Sequence, residues 1–316
     1  MITPAFKPVS IAAYLDSFAA NATASTQWIL VDDGSGSEFE DVFYEAASVG
    51  VQVIQLSENR RQSAARNAGL GAAQGDWIKF LDVDDRIEAG HLSALLRAAK
   101  PNGPIPFAPT VHLWPSGRTA KNETWRDVSN DAEAQLARLL TAPFLHHCGA
   151  LFPKDLLRRL GGYNENLVTD EDGDLLIRLL LSGATFRAVP ETQYFYIHHN
   201  SGHRVSADDD PRKLEAREWV CDDLMAHYET RDQDVPVSVR IALAQRLDSL
   251  ALSAWESDVK IAKRLHARAR VLCPDYPHNA RLPIRIARAL GGPRLANRLS
   301  AAARRFRGRS GHGMRA

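Results

Sequence analysis

The sequence lacks several features that would each define a class of protein. Its three cysteines, Cys148, Cys221 and Cys273, lie far apart and form no C-x-x-C pair, which excludes a disulfide scaffold and favours reduced thiols in the cytoplasm. No apolar run approaches about 18 residues and no signal peptide is visible, so no membrane-spanning helix is predicted. No G-x-G-x-x-G follows a strand, which argues against a dinucleotide-binding oxidoreductase.

Strands and helices alternate over the first hundred residues. Strand-like runs at Trp28 to Val31, Val51 to Leu56 and Trp77 to Leu81 are separated by helical spacing over Glu38 to Val49 and Gln62 to Ala73. This alternation predicts an α/β domain of Rossmann type, with a mostly parallel sheet and helices on both of its faces.

The composition changes about two thirds of the way along the chain. The polar run SADDDP ends at Pro211, and from there onward the spacing is helical throughout. We therefore predict two domains, an α/β domain over residues 1–207 and an all-helical extension over residues 208–316.

Three carboxylates, those of Asp82, Asp84 and Asp85, follow the strand-like run WIKFL. One acid is enough to cap the helix that comes next, and three acids within four residues repel one another. A bound divalent cation is the natural counter-charge, because hard cations prefer oxygen ligands. The sequence thus predicts a metal or diphosphate site at this strand end.

A second acidic strand end lies upstream, at Asp32 and Asp33 of WILVDDGS. Asp-Gly-Ser after a strand is also common turn chemistry, so a solvated turn is the alternative. In the functional interpretation a carboxylate accepts a hydrogen bond from a nucleobase N–H. Two strands that deliver acids to their carboxyl ends point to one crevice, where open α/β sheets bind ligands.

Three further segments each have a structural and a functional interpretation. The arginines of ENRRQSAARNAGL either point to solvent or neutralise a phosphate, and the acids of TDEDGD either complement a helix dipole or include a general base. The histidines of YIHHNSGHR are either structural or bind a metal or phosphate. The residues concerned are Arg60, Arg61, Arg66, Asp170, Glu171, Asp172, Asp174, His198, His199 and His203.

Taken in order, these segments resemble the family 2 glycosyltransferases over roughly residues 1–205. The matching segments are MITPAF, WILVDDGS, NRRQSAARNAGL, FLDVDD, LGGYNENLVTDEDGDLLIRL and YIHHNS. The resemblance implies a GT-A fold and inverting transfer from a nucleotide-diphosphate sugar, UDP-linked by preference, with Mn²⁺ or Mg²⁺ as cofactor. It implies a saccharide or lipid-linked saccharide acceptor, and a place in cell-surface polysaccharide or glycolipid synthesis.

The resemblance also implies a role for each matched residue. Asp172 is the expected catalytic base. The expected metal ligands are Asp84, Asp85 and His199. The expected nucleotide-binding residues are Pro4, Phe6, Asp33, Arg66 and Asp82.

The first strand departs from the family pattern. The chain begins where that strand should be ending, so we expect the strand to be almost absent. Phe6 stands where the family usually has tyrosine, and Lys7 where it has asparagine.

Two alternatives to this function remain. A sugar-phosphate nucleotidylyltransferase would also use acidic metal ligands, but the glycine-rich phosphate loop expected near its N-terminus is missing here. A catalytically silent nucleotide-sugar-binding module is the other alternative, and it is favoured only if the short first strand ruins the donor pocket.

The end of the sequence is strongly basic, although the whole chain balances 39 Lys and Arg against 38 Asp and Glu. From Tyr276 onward there are ten arginines, no lysine and no acid. One interpretation is a disordered basic end, and the other is a segment that attaches the enzyme to an anionic membrane surface, on the inner face of the plasma membrane. We expect no nucleic-acid partner, because the first two thirds of the chain show no matching basic face.

Overall fold

Strands and helices alternate over most of the first 100 residues, as predicted, and short strands then follow one another from residue 105 to residue 121. The computed structural model describes residues 1–199, 210–254 and 257–274. The strands are β1 Ile2–Ala5, β2 Ile29–Asp32, β3 Gln52–Gln55, β4 Trp77–Lys79, β5 Arg86–Ile87, β6 Ile105–Phe107, β7 Thr110–Leu113, β8 Thr119–Lys121, β9 Leu151–Pro153, β10 Phe186–Ala188 and β11 Tyr194–Ile197. The helices before residue 200 are α1 Ala12–Asn21, α2 Glu40–Ser48, α3 Arg61–Ala72, α4 His91–Ala98, α5 Ala132–Thr141, α6 Lys154–Arg159 and α7 Glu171–Leu181.

The central sheet has the strand order β3-β2-β1-β4-β9-β6-β10. Strands β1, β2 and β3 are parallel, β4 is antiparallel to β9, and β6 is parallel to β10. Isolated bridges join these groups, one between Ile2 and Phe80 and one between Phe107 and Ala150. The predicted α/β fold class is therefore confirmed.

A second sheet has the strand order β5-β11-β7-β8. Its first strand in the sequence, β5, comes directly after the acidic segment at the end of β4. Strand β11 lies between β5, to which it is antiparallel, and β7, to which it is parallel. This sheet brings residues near 195 beside residues near 86, and so returns the chain to the acidic strand end.

The first strand is regular, and the expectation that it would be almost absent is wrong. All four residues of β1 pair with β2, from Ile2 opposite Ile29 to Ala5 opposite Asp32. Helix α3 packs so closely on this strand that a side chain at Gly69 would collide with Ile2. The small residues of α3 therefore serve helix–sheet packing, and β1 has a complete hydrogen-bonded neighbour.

The chain divides into two compact units, Met1–Arg204 and Val205–Ala316. The described part of the second unit contains helices α8 Pro211–Glu229, α9 Val237–Ala254 and α10 Val259–Leu272, so the predicted C-terminal helices are present. Within this unit Arg268 of α10 forms ion pairs with Glu218 and Asp222 of α8. Among the described residues, every helix is too short or too polar to cross a bilayer. The arginine-rich end lies outside the described residues.

Candidate active site

The carboxyl ends of β1 and β2 lie side by side, because the Asp33 amide donates to the Ala5 carbonyl at 2.8 Å. Phe6 follows β1 with 47% of its surface exposed, whereas Asp33 is buried. The Lys7 amide donates to Ser35 Oγ at 2.8 Å, which ties the two strand ends together. The predicted nucleotide residues Pro4, Phe6 and Asp33 are therefore neighbours.

The position of Asp33 depends on a close approach between two loops. Its Oδ1 accepts a hydrogen bond from the Arg60 amide at 2.7 Å. Gly34 has a φ of 73°, and a Cβ there would lie 2.5 Å from the carbonyl carbon of Glu58. Burial raises the pKa of Asp33, which backbone hydrogen bonds from Arg60 and Arg61 oppose. The loop at Gly34 can therefore approach the backbone of Glu58 only because residue 34 has no side chain. This approach holds the Asp33 carboxylate against the Arg60 amide.

Arg66 connects two acidic segments that are distant in sequence. It is 1% exposed, and its guanidinium donates to Asp82 Oδ1 at 2.7 Å and to Glu171 Oε1 at 3.2 Å. The guanidinium also lies 5.1 Å from the centre of the Tyr163 ring. One buried cation therefore joins the end of β4 to the first turn of α7.

This ion pair determines the charge of Asp82. Burial opposes ionisation of the carboxyl group, but the adjacent Arg66 prevails and lowers the pKa of Asp82 to about 2. For Glu171 the balance is the reverse, since burial and the neighbouring Asp172 raise its pKa in spite of Arg66. The Arg66 guanidinium therefore contacts two acids of the protein itself. A contact between Arg66 and the nucleotide stays a prediction.

The two other arginines of this segment also face the protein. Arg60 pairs with Glu165 at 2.9 Å, and Arg61 donates to the carbonyls of Leu167 and Glu165 at 3.5 and 3.3 Å. These contacts hold the start of α3 against the loop before α7, so the geometry favours a structural role over binding of a phosphate.

Asp84 meets His199 at the acidic strand end. His199 Nε2 lies 3.0 Å from Asp84 Oδ2, and both side chains are about half exposed. Burial and the nearby Asp82 raise the pKa of Asp84. An oxygen and a nitrogen ligand atom therefore lie together where negative charge accumulates, and this arrangement suits a divalent cation.

Asp85 has different surroundings, although it was predicted as a third metal ligand. It is buried, accepts a hydrogen bond from the Tyr194 hydroxyl, and accepts another from the Ile197 amide at 2.8 Å. Burial, together with Asp82 and Asp84, raises its pKa well above the usual range. These contacts favour a structural role in which Asp85 holds β11 against the strand end.

Asp172 lies in the first turn of α7, and 38% of its side chain is exposed. Its Oδ2 is 3.5 Å from Nδ1 of the buried His147, and its Oδ1 accepts from the Gly173 amide at 2.9 Å. Burial opposes ionisation, but His147 and Arg66 lower the pKa of Asp172 below the usual range of aspartate. The group predicted as general base is therefore ionised and reaches the surface.

His147 was not expected at this site. It belongs to the cluster His146, His147 and Cys148, in which three ligand atoms lie within 4.8 Å of one another. His147 Nε2 faces Cys148 Sγ at 3.1 Å, and burial raises the pKa of that thiol well above its usual value. The three side chains could hold a metal ion, and His147 also lies beside the predicted base, with Nδ1 3.5 Å from Asp172 Oδ2. The signal in the sequence was the paired histidines just before a buried strand.

Solved structures of similar fold belong to glycosyltransferases. One is S. aureus TarS 1-349 in complex with UDP-GlcNAc, with a TM-score of 0.64 and 17% identity, covering 96% of this chain and 91% of that chain. Another is the mannosyltransferase PcManGT from Pyrobaculum calidifontis in complex with GDP-Man and Mn²⁺, with a TM-score of 0.56 and 20% identity, covering 96% and 78%. The fold is of the GT-A type.

The sequence profile described as "Glycosyl transferase family 2" matches residues 2–161. The chain belongs to this family of enzymes, as its motifs predicted. Asp172 and His199 lie beyond the matched residues.

Two curated relatives show how far the likeness extends. The pre-mycofactocin glycosyltransferase of Mycobacterium tuberculosis is 28% identical over 166 residues, which are 51% of this chain and 35% of that protein. The succinoglycan biosynthesis protein ExoO of Rhizobium meliloti is 28% identical over 198 residues, which are 58% and 55% of the two chains. This chain thus spans about a third to a half of these relatives.

Proposed function

We propose that this protein is an inverting glycosyltransferase that moves a sugar from a UDP-sugar to a hydroxyl group of a saccharide or lipid-linked saccharide. Membership of the family supports the reaction class. The observation that carries the proposal is Arg66, which holds Asp82 of the donor-side strand end and Glu171 of the base-side helix on one buried guanidinium. Asp84 follows the first of these acids and Asp172 follows the second.

The donor nucleotide is assigned to the joined ends of β1 and β2. Phe6 offers an exposed ring on which a nucleobase can stack. Asp33, fixed by the Arg60 amide, accepts a hydrogen bond from a base N–H. Pro4 shapes this strand end, and Asp82, kept ionised by Arg66, is assigned to the nucleotide beyond the base. Nucleotide sugars in the TarS and PcManGT structures support a donor of this class.

Asp84 and His199 are the residues that would hold Mn²⁺ or Mg²⁺. Such ions commonly use one or two protein ligands and take further oxygens from substrate phosphates, so a site with two ligands fits a diphosphate donor. When bound, the ion neutralises charge that develops on the departing diphosphate. The complex of PcManGT with Mn²⁺ supports this assignment.

Asp172 is the proposed general base. Its ionised carboxylate takes the proton of the acceptor hydroxyl as that oxygen bonds to C1 of the donor sugar. The bond from C1 to the diphosphate oxygen breaks, its electron pair leaves with the nucleoside diphosphate, and the configuration at C1 inverts. His147 Nδ1 lies 3.5 Å from Oδ2 of this carboxylate and helps to lower its pKa.

Two variants separate donor binding from transfer. Calorimetry of UDP with the wild-type protein should show binding in Mn²⁺ that is lost in EDTA, and Asp84→Asn should abolish this metal dependence. Asp172→Asn should bind UDP like the wild type but release UDP from UDP-sugars about 10²–10⁴-fold more slowly in the presence of acceptor. GDP serves as the control nucleotide.

Other outcomes would redirect the proposal. Equal UDP affinity with and without Mn²⁺ would remove the metal from donor binding, and tighter binding of GDP would change the base. Full turnover in Asp172→Asn would transfer the role of base to Glu171 or Asp174. UDP binding without any turnover in the wild type would favour a silent binding module.

The biological setting is part of the same proposal. ExoO is named for succinoglycan biosynthesis and GgaB of Bacillus subtilis for minor teichoic acid biosynthesis. These names support a place in the synthesis of a cell-surface polysaccharide or glycolipid.

A further inference from the structure

Aromatic rings occupy one face of the second sheet. Side chains two residues apart on a strand share a face, so Tyr194 and Tyr196 of β11 lie together with His198, which follows the strand and donates its amide to the Leu113 carbonyl of β7 at 2.7 Å. The register places Tyr196 opposite His112 of β7. Trp114, two residues after His112, continues the row on the neighbouring strand.

Each ring contacts the next one along the surface of the sheet. Trp114 stacks on His198 with ring centres 4.3 Å apart and an angle of 5° between the planes. His198 Nε2 lies 3.1 Å from His112 Nδ1, and its ring centre is 4.9 Å from that of Tyr196. Tyr196 in turn lies 5.5 Å from His146. These five residues, Trp114, His112, His198, Tyr196 and His146, are here called the aromatic band.

The aromatic band leads to the proposed catalytic base. The His146 ring lies 4.7 Å from the ring of His147, and His147 Nδ1 lies 3.5 Å from Asp172 Oδ2. His147 is buried, so the surface groups at this end of the band are the partly exposed His146 and the partly exposed carboxylate of Asp172.

The band does not resemble a packed core. Its members are all partly exposed, whereas Tyr194, at the start of the same row, is fully buried. It mixes imidazoles with apolar rings, and the guanidinium of the exposed Arg118 lies 4.5 Å from the Trp114 ring. By contrast, the buried rings of Phe107, Phe144 and Phe186 form an all-apolar cluster. The band therefore offers apolar ring faces together with polar edges.

We propose that the aromatic band is the acceptor subsite and that it binds the pyranose ring of a saccharide. A pyranose presents C–H groups on its faces and hydroxyl groups around its edge. The C–H groups suit the electron-rich faces of aromatic rings, and the hydroxyl groups suit the imidazole and guanidinium edges. An alkyl chain would gain little from those edges. The inference rests on the proposed role of Asp172, because only then does the band lead to an acceptor hydroxyl.

Saturation-transfer NMR tests this subsite directly. The probes are methyl glycosides of glucose, galactose, mannose and N-acetylglucosamine, in both anomers, with UDP and Mn²⁺ present. Saturation should reach ring C–H protons of at least one glycoside in the wild type. Binding should weaken about tenfold in Trp114→Ala and in Tyr196→Ala, the loss expected for one good aromatic contact.

A matched control separates the band from aromatic surface in general. Trp219 of α8 is 43% exposed and lies outside the band, so Trp219→Ala should keep the signal. Calorimetry of UDP with each variant reports whether the donor site is still folded, and Trp114→Phe should restore part of the saccharide signal.

The outcomes decide between the two proposals. Unchanged glycoside binding in Trp114→Ala and Tyr196→Ala, or an equal loss in Trp219→Ala, would overturn the subsite. So would a wild type that binds UDP with Mn²⁺ but gives no saccharide signal, and in that case the donor proposal would stand. A saccharide signal that depends on the band in a wild type that does not bind UDP would support the subsite and overturn the donor proposal.

Discussion

Asp82, Asp84 and Asp85 are almost adjacent in sequence, yet their carboxylates have different surroundings. Asp82 is paired with the buried Arg66, Asp84 is half exposed beside His199, and Asp85 is buried against Tyr194 and the Ile197 amide. The chain turns at Val83 and Asp84, where the Asp85 amide donates to the Asp82 carbonyl at 3.1 Å, so the three side chains leave the backbone in different directions. These different surroundings support the proposed assignment of Asp82 to the nucleotide and Asp84 to the metal, with Asp85 in contact with β11.

Lys79 is a second buried basic residue near these acids, in addition to Arg66. It is 1% exposed, and its Nζ donates to the Phe80 carbonyl at 3.0 Å. Burial lowers the pKa of Lys79 from 10.5 to about 8, although Cys148, Asp82 and Asp85 oppose the shift. Between these values the unfolded chain binds a proton that the folded protein does not, so Lys79 makes stability rise with pH.

We therefore predict a pH-dependent difference between the wild type and Lys79→Met. From pH 8 to 10.5 the free energy of unfolding of the wild type should rise by about 3 kcal/mol relative to the variant, at roughly 1.4 kcal/mol for each pH unit. Urea unfolding at several pH values measures the difference, in which groups common to both proteins cancel. Lys121→Met, at an exposed site, should run parallel to the wild type, and a parallel curve for Lys79→Met would contradict the prediction.

At the scale of elements, Arg66 of α3 connects the end of β4 to the start of α7. Removing one partner of a buried ion pair leaves a charge without compensation and costs about 3–5 kcal/mol. Arg66→Met leaves both Asp82 and Glu171 in that state, so it should be strongly destabilised. Glu171→Gln in the same background should recover part of the loss, which thermal unfolding measures.

Arg66 also lowers the pKa of the proposed base, Asp172. The dependence of activity on pH separates this effect from a loss of stability. Since Arg66 helps to lower the pKa of Asp172, the acidic limb of the activity profile should move to higher pH in Arg66→Lys, because one ammonium replaces the two guanidinium nitrogens that reach Asp82 and Glu171. Arg60→Met is the control, because its pair with Glu165 is 55% and 39% exposed and should contribute at most about 1 kcal/mol. An unshifted limb in Arg66→Lys, with stability also unchanged, would remove Arg66 as a positioning residue.

The elements themselves were largely predictable, with one instructive exception at β6. Proline is found mainly in edge strands and loops, so the proline-rich stretch PNGPIPFAP favours one of these, yet Ile105–Phe107 pairs with β10 and also bridges to Ala150. It is therefore an interior strand. Pro106 is tolerated because β6 is only three residues long and its neighbour β9 meets it at a single bridge.

At the scale of the whole molecule, the basic end gives the remaining prediction. Ten arginines follow Tyr276 without an acid, and each contributes about 1 kcal/mol near an anionic bilayer. The full chain should co-sediment with phosphatidylserine vesicles at low salt and be released at high salt. A variant with these arginines replaced by glutamine should stay in solution. Equal sedimentation of both proteins would show that this segment is not an anchor, and displacement by RNA alone would indicate a different partner.

The sequence by itself determined the α/β fold class, the family and the strand ends that carry acids. These are local properties, because the period of hydrophobic residues and the acids after a strand are readable within about ten residues. The tertiary structure decided which partner each acid meets and how deeply each acid is buried. Asp82 and Glu171 are 16 and 105 residues from Arg66, and Tyr194 is 109 residues from Asp85. Such partners meet only when sheets and helices pack, and burial beside them then decides which carboxylate is charged.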